Sequence, residues 1–304
     1  MSKDSLKINF VDFWPNLVKT DNYFYHLLST EFDVSIDEEE PHILFHSADY
    51  FNQQAHKKYD DTKAVKVFYT GENTRPDFEK SHFSLTFDHS DDERNYRLPL
   101  WALHINWFGV PHTDDRDQSY LHEPDALLEK KINMDEILKQ KKEFCSFVFT
   151  QPKGQRVSFF ETINSYKQVC SAGRLFNNTN WTVKGRGDQR WKIDFLKLFK
   201  FNVSFENSSH PGYCTEKIIH PMFANAIPIY WGSDTVTDDF NEKSFVLLNE
   251  EKTCEEVVAE VKRIDNDMSL YEAVLSEPWF KDRKFPDQVL PKNIMKFFKE
   301  KVLK

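Results

Sequence analysis

The sequence predicts an α/β protein made of two domains, each with a mostly parallel sheet covered by helices. Short apolar runs alternate with polar or helix-like stretches along most of the 304 residues, which is the order that parallel sheets require. Hydrophobic residues make up 39% of the chain and include 28 Phe, so a large core can form. The length corresponds to about two domains.

The first domain is predicted to open with a strand and a helix. Residues 6–11 alternate apolar and polar side chains as a strand does, and residues 21–32 have the spacing of a capped amphipathic helix. The acidic run at residues 37–40 is interpreted as a solvated loop. Further strands are predicted at residues 42–45, 65–70 and 83–87.

A polar stretch without strand periodicity, residues 111–131, predicts the linker between the domains. We therefore place the first domain at residues 1–130 and the second at residues 131–304. Apolar runs in the second domain predict strands at residues 144–149, 201–205, 227–230 and 245–248. Helical spacing predicts helices at residues 157–169 and 254–264.

The chain ends in a basic amphipathic stretch, residues 291–304. Ile294, Phe298 and Val302 share one helical face, and lysines surround the other sides. We expect the apolar face to dock on the protein core. The alternative is contact with an anionic membrane surface, which would make a cytoplasmic protein peripheral at the inner face of the membrane.

The composition argues against several classes of function. A net charge of −9 is unlike the basic excess of nucleic-acid-binding surfaces. Gly185 and Gly187 form a GxG pair, but Arg190 stands where a dinucleotide fingerprint needs its third glycine, and the P-loop motif is absent. The four cysteines lack zinc-type spacing. Without a signal-peptide layout or an apolar run of ~20 residues, we expect a cytoplasmic protein.

Two polar turns follow predicted strands, where open α/β sheets bind ligands. Glu72 comes directly after the strand at 65–70 and is either an ordinary turn residue or a functional carboxylate. Arg156 lies at the start of the helix at 157–169. A cation there opposes the helix dipole unless an anion binds nearby, and Arg suits bidentate contact with phosphate. The residues alone leave both alternatives open at each position.

The most informative stretch is residues 205–232. Thr215 can cap a helix whose first turn holds Glu216 and Lys217. The N–H groups of a helix N-terminus favour an anion and Lys217 adds a full charge, so a diphosphate fits this position. Glu216 can accept hydrogen bonds from ribose hydroxyls. A simple cap with an incidental lysine leaves a neighbouring polar cluster unexplained: Glu206, Asn207 and Tyr213.

Three segments of this stretch resemble the donor-binding signature of the α-1,3-fucosyltransferases of glycosyltransferase family 10. They read Phe205-Glu206-Asn207-Ser208, Tyr213-Cys214-Thr215-Glu216-Lys217 and Ile227-Pro228-Ile229-Tyr230-Trp231-Gly232-Ser233. Val67-Phe68-Tyr69-Thr70-Gly71-Glu72-Asn73 resembles the acceptor-side motif of the same family, and Arg97-Leu98-Pro99-Leu100 follows it as in bacterial members. Arg156 falls where those bacterial members carry a phosphate-binding arginine. The resemblance covers roughly residues 6–300.

The resemblance implies a GT-B fold, in which two Rossmann-like domains face each other across a cleft and the C-terminal domain holds GDP-fucose. Carried onto this sequence, it implies that Arg156 and Lys217 neutralise the diphosphate and that Glu216 binds the ribose. Asn207 and Tyr213 would line the donor site.

The resemblance also implies the reaction. Glu72 would be the general base for inverting transfer of L-fucose to the GlcNAc O3 of an N-acetyllactosamine-type glycan. Transfer to another hydroxyl, including an α-1,4 linkage, and a non-catalytic nucleotide-sugar-binding protein are the alternatives. The scheme needs no cofactor or metal, because cationic side chains neutralise the diphosphate. Asp265-Asn266-Asp267 has the DxD form of metal-dependent glycosyltransferases but is interpreted as a helix-ending turn.

Overall fold

Two parallel sheets organise the chain in the structure, a computed structural model that describes residues 3–49, 51–111, 122–130, 133–180 and 189–304. One compact unit comprises Met1–Leu103 and Pro286–Lys304, and the other comprises His104–Phe285. Each unit contains one of the sheets. The predicted α/β class is confirmed.

The sheet of the first unit has six parallel strands in the order β2-β1-β3-β4-β5-β6. Every residue of the inner strand β3 is buried, as is typical of parallel strands covered on both faces. Helix α1 (Tyr23–Ser29) begins after Asn22, whose side chain accepts two N–H groups of the first turn. The strands are β1 (Ser5–Val11), β2 (Asp33–Ile36), β3 (Ile43–His46), β4 (Val65–Tyr69), β5 (Phe83–Thr86) and β6 (Asn95–Arg97).

The sheet of the second unit has five parallel strands in the order β11-β10-β9-β7-β8. The strands are β7 (Glu143–Phe147), β8 (Val169–Ser171), β9 (Phe199–Phe205), β10 (Ile227–Trp231) and β11 (Val246–Leu247). The helices are α2 (Pro124–Glu129), α3 (Met134–Gln140), α4 (Arg156–Tyr166), α5 (Gln189–Leu196), α6 (Glu216–Phe223), α7 (Cys254–Asn266) and α8 (Met268–Ser276). Phenylalanines of β7, α4 and β9 form much of its core.

The last helix, α9 (Pro291–Phe297), and the turn that follows it belong to the first unit. Ile294, Phe298 and Val302 are buried, and the Phe298 ring lies 5.9 Å from the Phe45 ring. Docking of the apolar face on a core is thus confirmed, but the core is that of the first unit and not of residues 131–304. The neighbouring lysines form ion pairs within the unit, Lys299 with Glu31 and Lys301 with Glu93.

The compact units also differ from the predicted division at the linker. The second unit begins at His104, not near residue 131, because Ile105 forms a parallel bridge with His122 and Leu127 of α2 is buried. Residues 112–121 and 131 of the predicted linker lie outside the described residues. The polar composition of the predicted linker therefore did not show that Ile105 and Leu127, on either side of residues 112–121, both pack in the second unit.

The strands that were not predicted are short. β2, β6 and β8 have at most four residues each, which is too few for a clear alternation. The acidic run at residues 37–40 is a loop, as predicted. In the part of the chain that the structure describes, every helix is too short or too polar to cross a bilayer.

Candidate functional site

Polar loops leave the carboxyl edge of the second sheet next to one another, because β10, β9 and β7 are neighbouring parallel strands. Ser209 Oγ donates to the Gly232 carbonyl at 2.6 Å, and the Gly212 N–H donates to Ser233 Oγ at 2.8 Å. These bonds tie the loop after β9 to the loop after β10. Since β7 pairs with β8 on one side and β9 on the other, this edge is a topological switch point, where open α/β sheets bind ligands.

Helix α6 begins at this edge with the predicted cap. The Thr215 side chain accepts the Lys217 N–H, and Thr215 itself is buried. Glu216 and Lys217 occupy the first turn of the helix. An N-terminus with free N–H groups and a lysine in its first turn is suited to hold an anion.

A buried carboxylate, Glu206, organises the start of this helix. It is fully buried at the end of β9 and accepts the Thr215 N–H at 2.8 Å and the Thr215 hydroxyl at 2.8 Å. The Lys217 ammonium lies 3.1 Å from Glu206 Oε2, the oxygen that accepts the Thr215 hydroxyl. Glycine is required beside it, because a Cβ on Gly232 would lie 2.5 Å from Glu206 Cγ. Burial raises the pKa of Glu206 against the opposing effect of Lys217.

The first turn of α6 is strongly polarised. Burial disfavours the charged form of Glu216, but Lys217 and then Lys192 outweigh that effect and lower its pKa to about 2. Burial also opposes the charge on Lys217, yet Glu206 and Glu216 raise its pKa above the usual range. Glu216 and Lys217 are 3.7 Å apart. Glu216 is therefore an acceptor of hydrogen bonds and Lys217 a donor at neutral pH.

Arg156 lies beneath the loop after β9 and not on an open surface. It is 2% exposed, and its guanidinium stacks 4.1 Å from the centre of the Phe149 ring. Burial lowers its pKa. Its terminal nitrogens donate to the carbonyls of Gln151, Phe205 and Glu206 and to Asn207 Oδ1, at 2.9 to 3.1 Å. Among the described residues its Nε, also buried, has no hydrogen-bond partner.

A small cavity of about 30 Å³ lies beside Lys217, large enough for one water molecule. It is bounded by residues of β9 and the loop after β7, and by Lys192 of α5. Helix α5 contacts both α6 and β9. Lys192 is therefore a second lysine beside the N-terminus of α6.

The remaining predicted donor residues occupy different environments. Asn207 is half-buried, and its side-chain oxygen receives Arg156. Tyr213 is 1% exposed, and its carbonyl accepts the Tyr230 hydroxyl at 3.4 Å. Tyr213 thus packs in the interior behind the loop that Asn207 begins.

Glu72 lies at the corresponding edge of the first sheet. It follows β4, half-buried, and its N–H donates to Thr70 Oγ1 at 3.0 Å. At the end of the neighbouring β1–β3 pair, the buried Asp12 carboxylate lies 2.6 Å from His56 Nδ1. Asp12 has a left-handed backbone, φ 60°, which is uncommon for a non-glycine residue.

The structure thus brings Arg156, Asn207, Glu216 and Lys217 to one edge of the second sheet, with Tyr213 behind them. Glu72 belongs to the other unit. The sequence analysis missed Lys192, because a lysine in a polar helix carries no signal of its own. It also missed the Asp12–His56 pair, whose members are 44 residues apart.

The triplet 265–267 ends a helix, as predicted. Asp265 lies in the last turn of α7, and Asp267 follows it and caps α8. The Asp265 carboxylate contacts Lys200 and Lys167 at 2.7 and 2.9 Å.

Two family models match the chain. Residues 8–104 match the alpha-(1,3)-fucosyltransferase FucT N-terminal domain. Residues 137–290 match the C-terminal domain of glycosyltransferase family 10 (fucosyltransferase). The second match alone covers half of the chain and includes each of the predicted donor residues.

Individual relatives agree with these models. Over 230 residues, 70% of this chain, the sequence is 35% identical to an alpha-(1,3)-fucosyltransferase FucT from Helicobacter pylori, but it spans only 47% of that protein. A crystal structure of an alpha1,3-fucosyltransferase matches all of this chain and 91% of its own, with a TM-score of 0.77 and 28% identity. A crystal structure of an alpha1,3-fucosyltransferase with GDP-fucose matches with a TM-score of 0.75 and 28% identity.

Proposed function

The chain belongs to glycosyltransferase family 10, the fucosyltransferases, and we propose that it transfers L-fucose from GDP-fucose to the GlcNAc O3 of an N-acetyllactosamine-type glycan. The observation that carries the proposal is the start of α6, where Thr215, Glu216 and Lys217 combine a helix N-terminus, an ionised carboxylate and an ammonium. A nucleoside diphosphate has the complementary groups. Its diphosphate needs cations, and its ribose offers hydroxyl donors.

In the proposed reaction the acceptor hydroxyl displaces GDP in one step, with inversion at the fucose anomeric carbon. Negative charge builds on the β-phosphate oxygen as the bond to fucose breaks. Lys217 and the N–H groups of α6 stabilise that charge, and such fixed electrostatic groups are often the largest contribution to catalysis. The scheme assigns this role to side chains of the protein and requires no metal.

Arg156 has two roles in this proposal. Its donors hold the loop after β9 by binding carbonyls, which positions Asn207 and the start of α6. Its positive charge also raises the potential at Lys217, since it opposes the charged form of that lysine. We therefore propose that Arg156 contributes positive charge to the diphosphate site, while its hydrogen bonds hold the loop after β9 in place.

Glu72 is the proposed general base. Glu206, another carboxylate of the resembling segments, is fully buried and already bound by Thr215 and Lys217, so it is a poor proton acceptor for a substrate. Glu72 is half-buried at the carboxyl edge of its sheet, where a substrate hydroxyl can approach. Proton removal by a positioned base contributes about 10²–10⁴ in rate.

Incubation with GDP-fucose and N-acetyllactosamine tests the proposal. Mass spectrometry should detect an acceptor heavier by one fucose together with GDP, and NMR of the product should show an α linkage to O3 of GlcNAc. A linkage to another hydroxyl would overturn the assignment of the acceptor position. GDP binding without transfer to any glycan would favour the non-catalytic alternative.

A further inference from the structure

Lys192 has no role in the proposed reaction. It projects from α5 toward the N-terminus of α6 and lines the same 30 Å³ cavity as Lys217. Among the residues that the structure describes, its ammonium has no hydrogen bond or ion pair within 4 Å. Lys192 is half-buried, and burial lowers its pKa, so an anion that pairs with it would favour its charged form.

The surrounding charges show which ligand would bind it. Glu206 already accepts a hydrogen bond from Thr215 and forms an ion pair with Lys217. Glu216 and, more weakly, Glu206 attract Lys192 without forming an ion pair with it, and Lys217 repels it. Burial lowers the pKa of Lys192 more than Glu216 raises it. Around the start of α6, three cationic side chains, Arg156, Lys192 and Lys217, therefore outnumber the two carboxylates of Glu206 and Glu216.

We propose that Lys192 is a third cationic ligand of the donor's diphosphate, alongside Lys217. This inference rests on the proposed function, because it takes the anion to be that of GDP-fucose. Lys217 is fixed in place by Glu206, whereas Lys192 has no competing partner and is available to the phosphate oxygens. A diphosphate bound at the start of α6 would lie beside the cavity that both lysines line.

A substitution that keeps the shape but removes the charge separates this role from a structural one. In Lys192→Met the cavity wall is retained and the unpaired ammonium is removed, so the protein without ligand should melt at a higher temperature. GDP affinity should fall about 10- to 100-fold, the effect of losing one charged hydrogen bond. Lys192→Met should therefore raise the melting temperature of the ligand-free protein and lower its GDP affinity.

Calorimetry with GDP and thermal melting without it form the experiment, on the full chain. Lys192→Arg should recover most of the affinity, since it restores the charge. Lys197→Met is the matched control, because Lys197 follows the same helix but is 43% exposed and paired with Asp194. Its GDP affinity should equal that of the wild type.

The outcomes separate this inference from the proposed function. If the wild type binds GDP and Lys192→Met binds it equally well, Lys192 is not a ligand. A fall in both melting temperature and affinity that Lys192→Arg does not rescue would assign it a structural role and also overturn the inference. If the wild type binds no GDP, the proposed function itself fails.

Discussion

The buried pair of Glu206 and Lys217 should behave as a unit when either partner is replaced. Glu206→Gln removes a carboxylate that accepts three hydrogen bonds and leaves the Lys217 ammonium without its nearest counter-charge. Lys217→Met leaves the Glu206 carboxylate fully buried without a cation. Breaking a buried ion pair on one side typically costs about 3–5 kcal/mol.

The double variant should be far more stable than the sum of the single effects predicts. With both charges gone, neither partner is left buried and unpaired, so the two losses overlap. We expect a coupling energy of about 2–3 kcal/mol in the free energy of unfolding. Urea unfolding of the ligand-free wild type, both single variants and the double variant measures it.

An exposed ion pair of the same unit provides the control. Lys252 and Glu260 are 3.0 Å apart, but their side chains are 40% and 34% exposed, so the corresponding cycle should give less than about 1 kcal/mol. Coupling between Glu206 and Lys217 no larger than in this control would refute the reasoning. It would mean that Glu206 is protonated and that hydrogen bonds, not charge, hold the start of α6.

Three further predictions concern Glu72, Arg156 and His104. Glu72→Gln should lower fucose transfer by about 10²-fold or more and leave GDP affinity unchanged. The control Glu79→Gln, at an exposed glutamate seven residues later, should leave fucose transfer unchanged. If Glu72→Gln retains more than about a tenth of wild-type transfer, Glu72 is not the base. Arg156→Lys should destabilise the protein to urea by about 1–3 kcal/mol, because carbonyls bound at 3.0 and 3.1 Å lose a donor, and unchanged stability would contradict this. Burial lowers the pKa of His104 to about 4 from an ordinary 6.5, so the unfolded chain binds the extra proton first and stability falls as pH drops from 6.5 towards 4. His104→Gln should lack this contribution, at most about 3 kcal/mol, while His46 and His220, whose pKa values burial also lowers, keep theirs. Equal pH profiles of the two proteins in urea would show that His104 contributes nothing.

The second sheet and its polar edge at the start of α6 could be predicted from the sequence because local signals agree there. The strand that ends at Phe205 is a continuous apolar run, and Thr215 is a strong cap directly before Glu216 and Lys217. Strand, cap and charge therefore identify the edge without knowledge of the fold. The structure confirms the strand that ends at Phe205 and the Thr215 cap of α6.

Relations between distant segments could not be predicted in the same way. Whether Glu206 is an exposed acceptor or a buried partner depends on its approach to Gly232 and Lys217, which the sequence does not encode locally. The sequence likewise predicts the amphipathic face of α9 but not that Phe298 contacts Phe45. An apolar face shows that a helix docks, and only the tertiary structure shows where.

In the proposed donor site, Lys217 of α6 and Lys192 of α5 would contribute to anion binding in different ways. Glu206 holds Lys217 at 3.1 Å before any ligand arrives, so binding a diphosphate there requires little reorganisation, which favours stabilisation of a leaving group. The same contact weakens the net charge that Lys217 can offer. Lys192 forms no ion pair among the described residues and would add positive charge to the site. The unfavourable free energy of its partial burial would be offset only when the diphosphate binds. Lys217 would thus supply a precisely placed contact and Lys192 additional attraction. For this reason Lys217→Met should destabilise the ligand-free protein, whereas Lys192→Met should stabilise it.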